Sequence, residues 1–221
     1  MDNTGPFRIM IRWISFLVLC TFIEPIYAAE PFKLRNDRNR CKIQMIRAGS
    51  LMVVKTFINQ QGPFNFILDS GVGLMVIIDP EIKDQLNIDY LREVSITGLG
   101  SRVLKADVTP HLQVRIGAVT ASSIGAVILK EREKELSAHA GMAIHGIIGY
   151  DFFGSFEVKT NYHKGQIICT ATASDKKKRE IRLPLEIIRK KPYCQLDIEL
   201  DGDVRLQIKT LIDCGGGHTL P

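Results

Sequence analysis

Residues 51–58 (Leu-Met-Val-Val-Lys-Thr-Phe-Ile) are rich in β-formers, residues 59–63 (Asn-Gln-Gln-Gly-Pro) have turn chemistry, and residues 64–68 run back as an apolar stretch. This pattern predicts a β-hairpin whose second strand ends at Asp69-Ser70-Gly71. An apolar run at 74–78 follows. Asp79-Pro80 then predicts a short helix over 80–86, with Asp79 as N-cap and Pro80 at the first helical position. Residues 94–102 have a glycine-marked tip, and strands are expected at 112–116 and 126–129 with a turn at 117–120. The charge run 130–135 is expected to be solvated. Gly146-Ile147-Ile148-Gly149 is a short apolar strand leading into a helix or turn at Tyr150-Asp151-Phe152-Phe153. Residues 156–162 and 166–170 predict another hairpin around His163-Lys164-Gly165.

A polar, basic stretch at 174–180 is the best boundary in the chain. Beyond it, strands are expected at 183–188, 193–200 and 204–212, with Asp201-Gly202-Asp203 as a hairpin turn. The order strand, turn, strand, acidic residue, glycine occurs here as it does in the first block. It is an internal repeat of two copies. The expected class is all-β. The expected layout is a signal segment 1–28, a flexible lead-in 29–42, a first lobe 43–173, a linker 174–182 and the truncated start of a second lobe 183–221.

At 221 residues the chain has enough material for a sizeable core. Its net charge of +5 is mild, and no basic stripe is interleaved with aromatics, which argues against a nucleic-acid partner. Arg8 and Arg12 precede an apolar run at 13–23, and Ala28 and Ala29 offer a cleavage point. That is a secretory signal, or an uncleaved anchor, and it predicts a secreted or periplasmic protein. The run is shorter than the roughly 20 residues a membrane span needs, and no other run is longer, so no stable span is expected after signal removal. Besides Cys20 the chain has Cys41, Cys169, Cys194 and Cys214, which allow three disulfide pairings or remain free.

The candidate chemistry lies in two carboxylates, Asp69 and Asp213, 144 positions apart. Each ends an apolar strand and opens a small-residue turn: Asp69-Ser70-Gly71 and Asp213-Cys214-Gly215. Two carboxylates facing each other can share one proton, so that one activates a water and the other protonates a carbonyl oxygen. No metal or other cofactor is required. His139 and His145 have no third ligand at suitable spacing, Ser70 lacks a Gly-x-Ser-x-Gly elbow, and Gly215-Gly216-Gly217 lacks the lysine of a phosphate loop.

Leu68-Asp69-Ser70-Gly71, followed by Ile147-Ile148-Gly149-Tyr150-Asp151, resembles the pepsin/retropepsin-like aspartic proteases. More specifically, it looks like secreted bacterial proteins of the aspartyl-protease family with two such lobes and often a C-terminal PDZ domain. The resemblance covers about residues 43–221. It implies a retropepsin-like closed β lobe, catalytic Asp69 and Asp213, supporting loop residues Ser70, Gly71, Cys214 and Gly215, and an Ile147-Ile148-Gly149 segment packed beside the catalytic loop. Residues 98–101 would belong to a substrate-covering flap. The implied substrate is a peptide or protein.

Two departures stand out. The family has Thr or Ser where this chain has Cys214, a weaker hydrogen-bonding group. The chain also stops at Pro221, before a second apolar-Gly segment and any PDZ domain. A truncated product, a fragment, or a homodimer formed through lobe one accounts for that stop. In the dimer, Asp69 would face Asp69 of a second copy. The rival to an enzyme is a non-catalytic binding or scaffold protein that keeps the lobe without the chemistry.

Overall fold

The computed structural model describes residues 32–88, 92–97, 103–171, 182–200 and 204–216. The signal segment 1–28, the tip 98–101, nearly all of the linker 174–182 and the turn 201–203 lie outside these residues.

Strands β1 (Lys33–Leu34), β2 (Arg40–Ala48), β3 (Leu51–Ile58), β4 (Gln61–Leu68) and β5 (Met75–Ile77) come first, followed by helix α1 (Glu81–Leu86). Then come β6 (Arg92–Thr97), β7 (Val103–Ile116), β8 (Val119–Leu129), α2 (Glu135–Ala140), β9 (Gly146–Ile148) and α3 (Tyr150–Phe153). The hairpin β10 (Glu157–Asn161) and β11 (Gln166–Thr170) closes this unit. A separate antiparallel sheet holds β12 (Glu186–Ile188), β13 (Lys191–Leu200) and β14 (Val204–Leu211). The all-β, retropepsin-like expectation is met.

The first unit closes on itself. Its strands run in the order β3, β4, β9, β5, β8, β7, and β7 pairs back to β3 through Phe57↔Arg115 and Ile58↔Val114. β4 is buried on both faces, which is why residues 64–68 lack polar alternation. Phe66 and Leu68 point into one apolar cluster with Met52, Val54, Leu112 and Phe152. Ile67 points the other way, into a second cluster with Val53, Ile78, Leu129 and Ile144. Packing into two cores fixes the end of this strand in place.

Several boundaries differ from the sequence expectation. The segment 29–42 is not a flexible lead-in from Phe32 onward. Phe32 is buried, with its ring 5.6 Å from that of Phe152. Lys33 and Leu34 pair with Thr120 and Val119, and β2 already begins at Arg40. A single aromatic in a charged stretch found a pocket that local composition could not announce. The turn expected over 59–63 contracts to Asn59-Gln60, both at positive φ (47° and 70°), and Gly62 and Pro63 join β4. β7 is far longer than 112–116, held extended by β6 and β8; Lys105, Asp107 and Thr109 interrupt its apolar pattern and hid its length, and Pro110 sits where the β7–β8 register shifts. α1 begins at Glu81, with Pro80 as its N-cap, and Asp79 accepts the Glu81 N–H at 3.1 Å.

The repeat is visible in three dimensions. β2, β3 and β4 form an antiparallel trio ending at Asp69, and β12, β13 and β14 form one ending two residues before Asp213. The first trio is enclosed by the barrel. On the second, Ile187, Ile188, Leu206 and Ile212 stay exposed.

Phe152 is fully buried and meets Phe32, Phe153 and Phe156 edge-on. Phe152→Ala is expected to destabilise the protein by about 3–5 kcal/mol, read from the denaturant midpoint.

Candidate active site

β4 delivers Asp69 to the rim of the barrel, and the loop after it is stitched in place by backbone bonds. β9 lies between β4 and β5, parallel to the first and antiparallel to the second. Asp69 N–H donates to Ile148 O at 3.0 Å, and Tyr150 N–H donates to Val72 O at 2.8 Å. Ile147, Ile148 and Gly149 therefore run alongside the Asp69 loop. Gly149 is sterically required there, because a Cβ would stand 2.7 Å from Leu74 O and closer still to Val72 O.

The second loop comes from the smaller sheet. Asp213 follows β14, and its neighbour Ile212 N–H donates to Pro192 O at 2.8 Å. The two loops then cross-bond in a reciprocal pattern. Ser70 Oγ donates to Ile212 O at 2.7 Å and accepts the Cys214 N–H at 3.1 Å. Cys214 Sγ accepts the Ser70 N–H at 3.3 Å and donates to Leu68 O at 3.6 Å. Cys214 thus occupies the same bonding position on its loop as Ser70 does on the other. The longer contacts follow from sulfur's size and weak polarity.

The carboxyl groups meet above this crossing. Asp69 and Asp213 are neighbours across it, each carboxyl lying against the other loop's glycine. Each also accepts a bond from the glycine two positions on: Gly71 N–H to Asp69 Oδ1 at 2.7 Å, and Gly215 N–H to Asp213 Oδ1 at 2.8 Å. The glycines serve a second purpose. A Cβ on Gly71 would stand 2.7 Å from the Asp213 carboxyl carbon, and one on Gly215 would fall on the Asp69 carboxyl. Each loop has a glycine where the other loop's acid must sit.

The pair is asymmetric. Asp69 is half-buried against the barrel, whereas Asp213 is exposed. Burial, the closeness of the Asp213 carboxyl and that neighbour's negative charge push Asp69 up to about 7 from its ordinary 3.8. The Gly71 N–H and the Lys191 ammonium pull in the opposite direction without cancelling the rise. Burial also pushes the Cys214 thiol up, so it stays protonated and keeps its donor hydrogen.

Sequence reasoning missed the contribution of the β12–β13 turn. Arg189 O lies 3.1 Å from where a Gly73 Cβ would be, and Lys190 Nζ pairs with Asp151 Oδ1 at 2.7 Å. Lys191 follows at once and supplies the cation near Asp69. A basic run beside a linker carries no local sign of such a role. The expected flap tip, 98–101, lies outside the described residues; its arms, β6 and β7, pair from Arg92↔Val108 to Thr97↔Val103. His145 lies away from the dyad and accepts the Asn65 N–H through Nδ1 at 3.1 Å.

Residues 54–152 match the family model described as aspartyl protease. No curated protein matches the chain. The matched stretch runs from β3 through Asp69 and β9 to Phe152, which is most of the closed barrel and one of the two acids. The barrel that carries Asp69 is an aspartic protease-like domain.

Proposed function

We propose that this protein is an aspartic endopeptidase whose dyad is Asp69 and Asp213 of a single chain. The observation that carries this reading is the meeting of the two carboxyl groups, each against the other loop's glycine, above loops tied by Ser70 and Cys214. Below about pH 7 the shared proton rests on Asp69, because its surroundings penalise the charged form. Asp213, on the open side, takes a proton from a water held between the acids as that water attacks the scissile carbonyl carbon. Asp69 gives its proton to the carbonyl oxygen. The resulting gem-diol collapses as a proton passes to the leaving amine and the dyad returns to its starting state.

The substrate is a peptide or protein segment, admitted between the β6–β7 hairpin and the dyad. The apolar run 13–23 behind Arg8 and Arg12 supports a secreted or periplasmic workplace. Among the described residues no helix is long and apolar enough to cross a membrane.

Asp69→Asn is expected to lower kcat/KM at least about 10³-fold on a fluorogenic peptide at about pH 5. Asp213→Asn should lose as much. Full activity in Asp213→Asn would instead mean that a second copy's Asp69 completes the dyad. A wild-type chain that cleaves nothing between about pH 3 and 8 would leave the scaffold reading.

Activity is expected to fall as pH rises through about 7, when Asp69 loses the shared proton. Stability should follow the same sign. The folded protein holds this proton more tightly than the unfolded chain, so between the ordinary 3.8 and about 7 stability declines with rising pH. Thermal midpoints across that window check this, and Asp69→Asn should flatten the slope.

Gly215→Ala places a methyl on the Asp69 carboxyl. It is expected to cost at least about 10²-fold in kcat while leaving the far-ultraviolet circular dichroism of the barrel unchanged.

A further inference from the structure

We propose that Cys41 and Cys169 form a reversible intrachain disulfide across β2 and β11, directly opposite each other in the sheet. Sequence alone allows three pairings of the four cysteines, and the fold separates them. Cys194 is buried in the smaller sheet opposite Thr210, and Cys214 is committed to Ser70 and Leu68. Among the described cysteines only Cys41 and Cys169 are cross-strand partners, and directly opposite residues project to the same face of the sheet. Both are buried in the first core cluster.

The ladder shows what kind of bridge this is. Met45 N–H donates to Gly165 O and Ala171 N–H to Asn39 O, both at 2.9 Å. Hydrogen-bonded pairs recur every second residue, so Cys41–Cys169 is one of them. Such pairs hold their Cα atoms about 5.5 Å apart, inside the disulfide range. Their Cβ atoms stand near the wide end of about 5.5 Å, whereas a relaxed disulfide prefers about 3.8 Å. Closing the bond draws the strands together, which gives a bridge that a monothiol reduces readily.

The oxidant is a small-molecule disulfide such as oxidised glutathione. The Cys41 thiolate, on the less enclosed side chain, attacks one sulfur and expels a glutathione thiolate. The Cys169 thiolate then attacks the Cys41 sulfur of the mixed disulfide and expels the second. The protein loses two protons and two electrons, and one oxidised glutathione becomes two reduced ones. β10 and β11 join the barrel through the edge of β2, and the chain leaves Thr170 toward the unit that carries Asp213. The bond therefore fastens the last hairpin before that connection.

The test uses the full, unaltered chain, equilibrated in oxidised and in reduced glutathione, alkylated, digested without reductant and mapped by mass spectrometry. The expected result is a Cys41–Cys169 cross-linked peptide in oxidised buffer, with Cys20, Cys194 and Cys214 alkylated, and all five cysteines alkylated in reduced buffer. The thermal midpoint should be lower by about 2–4 °C in reduced buffer, the modest shift a strained bridge gives, and Cys169→Ala should abolish that difference. Alkylation of both Cys41 and Cys169 in oxidised buffer, or a bridge through Cys20, Cys194 or Cys214, would overturn the proposal. The mapping needs no variant, so it decides even where Cys169→Ala fails to fold.

Discussion

Two acids of like charge must be held in contact, and the contact itself resists them. What opposes that repulsion is the neutral crossing beneath: Ser70 to Ile212 and Cys214, Cys214 to Leu68 and Ser70. These bonds satisfy backbone groups that would otherwise be stranded where two loops meet, and each buried group left without a partner costs about 1–3 kcal/mol. They also fix the loops before any proton is considered. The carboxyls then sit where two glycines leave room, each facing the other's missing side chain. A hydroxyl on one side and a thiol on the other are enough to hold this geometry.

The barrel and the smaller sheet contribute unequally. Asp69 ends a strand packed into two cores and bonded on its exit to β9. Asp213 ends a strand in a three-stranded sheet whose apolar side chains are partly open. One acid is desolvated and keeps its proton; the other faces water. Architecture thus gives different surroundings to two acids that arise from the same repeated motif. The β12–β13 turn tightens the link, with Arg189 against Gly73 and Lys190 on Asp151.

Sulfur serves different ends at different depths. Cys214 is a loop-bonding group whose raised thiol stays protonated. Cys169 is enclosed, and burial next to Cys41 pushes it up to about 12. Cys194 packs in the smaller sheet. Composition counts these as alike, but their neighbours make them chemically distinct.

Much of this was legible in the chain. Hairpins, the strand ending at Asp69 and the repeat at Asp213 depend on local periodicity and turn residues, which neighbouring positions encode directly. The strand β7 was hidden because its polar residues and Pro110 break the period, and only its partners β6 and β8 hold it extended. Phe32, Lys191 and the β3–β7 closure were hidden for a related reason. Each acts through residues far away in the chain, and no local pattern records a distant neighbour. The acids themselves were readable one at a time. Their meeting, and the proton that Asp69 keeps because of it, belong to the tertiary structure alone, since desolvation and mutual charge exist only once two loops share one space.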